Sequence, residues 1–351
     1  MQAPRPIAIT MGDAAGIGPE IIAKAYQQEP LLMSGTFVAG DVQTMRRACA
    51  MVARAQDRIA LPVAALGGID DVAATPAHCV PVLQVAPVLA DLAWGQVNAL
   101  AGAFAGRCLF WAANAALRGE IDALVTAPIH KEALHLAGAP FDRYPGHTEM
   151  LQSAAAEYLH KAVEEVPVRM MLANDELRVV LVSIHVALRQ AIDAVTKESV
   201  FETLMITHAA LSRSLGRVPR IAVAGLNPHA GEGGLFGHEE LQWIAPAIAQ
   251  ARARGCQASG PFAPDTVFMR ARRQASNPDA EFDAVVAMYH DQGLIPVKYL
   301  GVDKGVNVTL GLPLVRTSPD HGTAFDIAGL GKADPASLIE AVRVAKSMVI
   351  S

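Results

Sequence analysis

Along this chain short β-branched apolar runs alternate with longer stretches of helical period. Ile7–Thr10, Thr36–Gly40 and Asp122–Thr126 read as strands buried on both faces. Pro19–Tyr26 starts a helix with proline in its first turn, and helical periodicity returns over Val42–Ala55, Gly95–Arg118, Thr196–Ser214 and Glu239–Arg254. The Pro- and Ala-rich region 67–87 reads as loop with short strands. This alternation predicts an α/β protein with mostly parallel sheets.

Three further runs share one pattern, each closing on a histidine: Arg178–His185, Ile221–His229 and Asp283–His290. In open α/β sheets ligands bind beyond the carboxyl ends of the strands. His185, His229 and His290 can therefore converge, and three neutral imidazoles suit a divalent metal with open coordination positions, as catalysis needs. Asn227 and Asp291, beside two of them, are candidates to orient the rings. A lone strand-end histidine is more often structural; the threefold repetition favours a shared site.

Composition narrows the class. At 351 residues the chain predicts two domains. With 52% hydrophobic and 18% charged residues it is globular rather than disordered. A net charge of −5 gives no reason to expect nucleic acid or an anionic membrane as partner. The four cysteines form no C-x-x-C pair and read as reduced thiols of a cytoplasmic protein. No signal peptide is recognisable at Met1–Pro6, and the apolar stretches are expected to break before a membrane span's length.

Other segments carry candidate chemistry. Met11–Glu20 is a glycine-containing strand-to-helix turn, suited to an anion, though its spacing is not the G-x-G-x-x-G fingerprint. Thr126–Lys131 alone reads as a polar loop. Gly146-His147-Thr148-Glu149 offers donors to an oxygen-rich ligand, or a helix cap. Gly225–Gly234 is a glycine-rich loop anchored on a strand. Lys298, Asn307 and Arg316 stand among apolar residues, where a cation is costly unless paired, either with a phosphate or carboxylate or with an internal acid. Asp320–Pro335 is a loop dense in hydrogen-bonding groups.

Taken together and in order, these segments resemble the 4-hydroxythreonine-4-phosphate dehydrogenase family, which includes a branch acting on D-threonate and D-erythronate 4-phosphates. The resemblance rests on Met11–Glu20, Val125–Lys131, Gly146–Glu149, Gly225–Gly234, Ala287–Leu294, Gly305–Pro313 and Asp320–Ala324. Gly16–Glu20 and His321–Gly329 also resemble the isocitrate and isopropylmalate dehydrogenases, the second segment matching their adenosine-binding loop. This chain has Thr-Ala-Pro-Ile-His where others of the family have Thr-Gly-Pro-Val-His.

The resemblance implies two α/β/α domains with an active-site cleft between them, isocitrate/isopropylmalate dehydrogenase-like. The cofactor-side domain would span 1–125 and 296–351, and a metal- and substrate-binding, dimer-forming domain 126–295. It implies His185, His229 and His290 as ligands of one divalent ion (zinc, magnesium or cobalt) in a site shared between the subunits of a homodimer. His147, Thr148, Lys298, Asn307 and Arg316 match substrate contacts. Gly12, Asp13, His321, Gly322, Thr323, Ala324 and Asp326 are the expected NAD or NADP contacts. Asp265 is a candidate proton acceptor, with Lys298 the alternative if desolvation makes it a base. The reaction implied is oxidation of a phosphorylated hydroxy acid followed by decarboxylation. A metal-dependent sugar-phosphate hydrolase or isomerase would not need the His321–Gly329 loop, and a non-catalytic phosphometabolite binder would not need three strand-end histidines.

Overall fold

The computed structural model describes residues 5–273, 280–301 and 305–349. Residues 1–4 and 350–351, expected in the cofactor-side domain, lie outside the described residues. The described residues divide into two compact units, one running to Pro167 and resuming over Leu312–Val349, the other spanning Val168–Gly311. The expected boundaries stood at 125/126 and 295/296. Residues 126–167 fall in the first unit because the helices Lys131–Leu136 and His147–Leu159 pack on the helix Ala99–Leu117. Residues 305–311 fall in the second because their strand pairs with Arg169–Ala173.

The first unit is built on strands β1 (Ile7–Thr10), β2 (Thr36–Gly40), β3 (Val63–Leu66), β4 (Val80–Gln84) and β5 (Ala123–Thr126). A late strand, Arg316–Pro319, joins them to give the order β3-β4-β2-β1-β5-(316–319), all parallel. Every residue of β1, β2 and β5 is buried, as their unbroken apolar character requires. In register, Thr10 lies opposite Thr126 at the carboxyl ends of β1 and β5, while Arg316 opens its strand opposite Leu124 and reaches Thr126 through its side chain.

One expectation is corrected here. The helix Ala99–Leu117 is long and apolar enough to cross a membrane, with a mean hydropathy of 1.2. Its packing marks it as a core helix. A Cβ at Gly102 would stand 2.0 Å from the Ala133 carbonyl oxygen, and one at Gly106 would meet the Phe141 ring at 2.5 Å, so neighbouring elements press directly on its backbone.

The second unit contains β6 (Arg169–Ala173), β7 (Arg178–Leu181), β8 (Arg220–Ala224), β9 (Gln257–Phe262), β10 (Ala284–Ala287) and β11 (Val306–Leu310). Their order is β11-β6-β7-β10-β8-β9. β7, β10, β8 and β9 run parallel, while β6 is antiparallel to both its neighbours. The core combines Leu172, Val179, Leu181, Ala222, Val285 and Ala287 with Val267, Phe282, Leu294 and Val297. All four cysteines are free and buried.

Candidate functional site

Three loops meet at the carboxyl ends of β1, β5 and the strand Arg316–Pro319 in the first unit. Gly12 has φ +72°, and a Cβ there would stand 2.3 Å from the Pro128 carbonyl oxygen, so only glycine lets the loops close. The next N–H, of Asp13, donates to that oxygen at 2.9 Å. Ile17 N–H donates to the Thr323 carbonyl at 3.1 Å, and the His130 ring stacks on Phe325 with centroids 4.5 Å apart. Behind them Lys24, paired with Glu20 at 3.0 Å, donates to the carbonyls of Gly331 (2.8 Å) and Ala333 (2.6 Å). Glu20 in turn accepts the Ala333 N–H at 2.7 Å. A buried ion pair thus clamps the 320–335 loop to the first helix.

The expected cofactor residues separate within this arrangement. His321, Gly322 and Asp326 are exposed, Ala324 is half-buried at φ 40°, and Thr323 is buried. Gly12 and Asp13 are buried beneath the loops and join them rather than face solvent. Asp13 Oδ1 accepts the Ala15 N–H at 2.8 Å, but its buried Oδ2 has no partner among the described residues. Burial raises the Asp13 pKa, against the opposing pull of that N–H and of His130.

From the start of its strand the side chain of Arg316, only 4% exposed, reaches toward this edge. Its Nε and Nη2 both donate to Thr126 Oγ1, at 3.1 and 2.8 Å. Burial lowers its pKa to about 10, with Glu149 acting in the opposite sense. His147 starts the helix His147–Leu159, with Thr148 half-buried beside it. Part of His147 reaches the surface, yet its Nε2 is shut off from solvent and has no partner among the described residues. Burial, then the neighbouring Arg316 charge, holds this imidazole neutral, well below its ordinary pKa. A buried guanidinium beside an unsatisfied imidazole nitrogen is a place prepared for a polar, anionic ligand. The sequence singled out Arg316 and His147 but missed Thr126, whose strand-terminal position was the available signal.

In the second unit the three histidine-bearing strands are neighbours, in the order β7-β10-β8. They stop earlier than the sequence suggested, so the histidines sit on the connections that follow. His185 is four residues past Leu181, His229 five past Ala224, and His290 opens the helix His290–Tyr299. The rings of His185 and His290 have centroids 5.5 Å apart. Two imidazoles on one tetrahedral ion, with bonds of about 2.0–2.1 Å, have ring centres roughly 5 Å apart, so this pair fits a metal. The Asp291 carboxylate lies 2.7 Å from His290 Nδ1, which leaves Nε2 for a ligand. His229 instead packs near Phe236, and among the described residues of one chain no group of three such donors comes together.

The loop carrying His229 has an unusual backbone. His229, Ala230, Gly231, Glu232 and Gly233 are all left-handed, with φ from 43° to 78°. The buried carboxylate of Glu240 organises it. Its Oε1 accepts the N–H groups of Leu226 and Asn227, each at 2.7 Å, and its Oε2 accepts Asn227 Nδ2 at 3.0 Å. The Asn227 amide nitrogen also donates to Glu239 at 2.7 Å, so it braces the loop instead of an imidazole. Glu240 went unnoticed in the sequence because it reads as one more polar position of a helix.

The remaining expected residues lie apart within this unit. Asp265 is exposed, between β9 and the helix Val267–Ala271. Asn307 is half-buried in β11. Lys298, half-buried, is eight residues along the helix from His290, roughly 12 Å at 1.5 Å per residue.

A profile of the family described as "Pyridoxal phosphate biosynthetic protein PdxA" matches residues 33–345. The chain belongs to this family. It is 49% identical over 335 residues to the 4-hydroxythreonine-4-phosphate dehydrogenase of Beijerinckia indica, covering 95% of this chain and 92% of that protein. It is 44% identical to the D-threonate 4-phosphate dehydrogenase of Salmonella typhimurium, over 97% of this chain and 98% of the other. The crystal structure of 4-hydroxythreonine-4-phosphate dehydrogenase from Klebsiella pneumoniae superposes with a TM-score of 0.84 at 40% identity, covering 98% of this chain and 99% of that one. As a PdxA-family member the chain is an enzyme of the NAD-dependent dehydrogenase class.

Proposed function

We propose that this enzyme oxidises 4-phosphohydroxy-L-threonine with NAD or NADP to 2-amino-3-oxo-4-phosphooxybutanoate, which then loses CO₂ to give 3-amino-2-oxopropyl phosphate. The carrying observation is the buried Arg316 beside the unsatisfied Nε2 of His147, a receptor for one end of a polar, anionic substrate. Thr148 lies at the same helix start, and Lys298 and Asn307 are assigned the remaining substrate contacts by resemblance. The exposed edge of the 320–335 loop, His321, Gly322 and Asp326, is the part of the cofactor segment open to a dinucleotide.

The residues present fit a divalent ion of the zinc, magnesium or cobalt type, held by His185 and His290 with His229 completing the set across a homodimer. Such an ion would acidify the substrate hydroxyl and stabilise the enolate of decarboxylation, and the bound nicotinamide would take the hydride. The dimer is supported by large apolar side chains left exposed after β7 (Val186 50%, Leu188 60%) and after β8 (Leu235 74%, Phe236 47%). Asp265 is the assigned acceptor of the hydroxyl proton and Lys298 the alternative, the latter set far from His290 of its own chain. The buried, reduced cysteines support the cytoplasm as its compartment.

D-threonate or D-erythronate 4-phosphate is the second reading, favoured by the 44% identical relative. Both substrate types keep the phosphate, the carboxyl and the oxidisable hydroxyl. A steady-state comparison of the amino acid phosphate with the two hydroxy acid phosphates, following NAD(P) reduction with divalent metal present, tests the choice. The expected result is the higher kcat/KM for 4-phosphohydroxy-L-threonine; no reduction with any of the three overturns the function.

A further inference from the structure

Gln292 joins the two turns on which His290 and His229 stand. Its Oε1 accepts the Met288 N–H at 2.7 Å, two residues before His290. Its Nε2 donates to the Gly225 carbonyl at 2.8 Å, at the root of the His229 loop. The same peptide stretch is held from its other side by Glu240, which takes the next two N–H groups. Neither end of the amide is spent on solvent, and both its bonds go to backbone that no strand ladder satisfies.

The surroundings leave the strut little freedom. Gly293, the next residue, lies flat on β7 and β10: a Cβ there would stand 2.4 Å from Leu181 Cδ2 and 3.1 Å from Ala287 Cβ. Gln292 is therefore fixed at its base by close packing. Met288 is tied from the other flank, its carbonyl accepting the Ser183 N–H (3.2 Å) and Ser183 Oγ (3.0 Å), two residues before His185. One amide thus couples the β10 turn, already joined to the β7 turn, to the β8 loop.

We propose that Gln292 is a positioning residue for metal binding: it holds the turn of His290, and through Met288 that of His185, for one ion, and steadies the loop that presents His229 to the site of the partner subunit. The inference rests on the reading of these histidines as metal ligands. An amide suits this task because it donates at one end and accepts at the other; a carboxylate or thioether of similar length cannot do both. Loss of such outer partners typically costs about 10- to 100-fold in metal affinity.

The test uses Co²⁺ alone as probe, titrated into the metal-free full chain and followed by its visible absorption and by zinc competition. Gln292→Met removes both hydrogen bonds at similar volume, and Gln292→Glu keeps only the acceptor for Met288. The expected result is about 10- to 100-fold weaker Co²⁺ binding and an altered Co²⁺ spectrum in Gln292→Met and also in Gln292→Glu, whose carboxylate keeps the Met288 bond but faces the Gly225 carbonyl without a proton to give it. Should Gln292→Met fail to fold, Gln292→Glu decides. Wild-type affinity and spectrum in the variants, while His185→Ala loses the ion, overturn the role of Gln292 alone. Wild-type affinity in His185→Ala overturns the metal reading and the inference with it.

Discussion

Replacing Glu240 by Ala should release the His229 loop without unfolding the sheet beneath it. In this loop His229, Ala230 and Glu232 are non-glycine residues in the left-handed region. At about 1–2 kcal/mol each, their strain is about 3–6 kcal/mol. Against it stand the three hydrogen bonds to the Glu240 carboxylate. Bonds to a charged acceptor contribute about 1.5–3 kcal/mol each, so the restraint is about 4.5–9 kcal/mol before non-additivity. The two sums are comparable, so Glu240 supplies a large part of the loop's restraint, alongside the Gln292 bond to Gly225 and the Glu239 bond to Asn227. Without it the strain drives the turn open, and the opening free energy of segment 225–237 falls by about 3 kcal/mol or more. That corresponds to roughly 100-fold faster amide exchange, at 1.4 kcal/mol per tenfold. Glu240→Gln keeps an acceptor for the backbone N–H pair but sets an amide against Asn227 Nδ2, so about tenfold is expected. Hydrogen exchange read by mass spectrometry resolves the segment from β8 and β10, which should stay protected. Wild-type exchange over 225–237 in Glu240→Ala would refute the reasoning, since the left-handed turn would then be stable on its own.

Two further outcomes follow from the first unit. Thr126→Val removes the acceptor of both Arg316 N–H groups and should raise KM for the phosphorylated substrate about 10- to 100-fold, while Thr126→Ser stays near wild type; equal KM values in steady-state assays would dismiss Thr126 as a support of Arg316. His147 has a folded-state pKa below the ordinary 6.5, so below about pH 6.5 the unfolded chain binds a proton that the folded chain refuses, and stability falls with pH from there down. Urea midpoints at about pH 7.5 and pH 5 should therefore converge in His147→Asn relative to wild type, and an unchanged difference would show that His147 titrates normally in the fold.

How much of this was legible in the sequence depends on what each residue's partners are. β1, β2 and β5 were readable because burial on both faces forces an apolar run, whatever the neighbours. The histidine-bearing strands were readable as neighbours because parallel strands deliver their carboxyl ends to one edge, and β7, β10 and β8 are adjacent, though among the described residues of one chain only the rings of His185 and His290 approach each other. The strand ends were overrun, since Val182 continues the apolar, β-branched pattern past Leu181, where the strand already stops and the Ser183 N–H bonds to Met288, one residue past the end of β10. The antiparallel pairing of β6 with β11 joins segments far apart in sequence, and no local pattern announces it. The glycines of 225–234 signalled conformational freedom but not its use, because the root of the loop is tied by Glu240, a residue whose helical periodicity hides that it is buried. Gln292 and Thr126 were hidden for the same reason. Each is defined by hydrogen bonds to distant backbone or side chains, at sequence separations of 67 and 190 residues. A sequence read alone exposes the groups that would meet a ligand, whose chemistry is distinctive. The groups that aim them are ordinary polar residues, and only the folded chain shows what they hold.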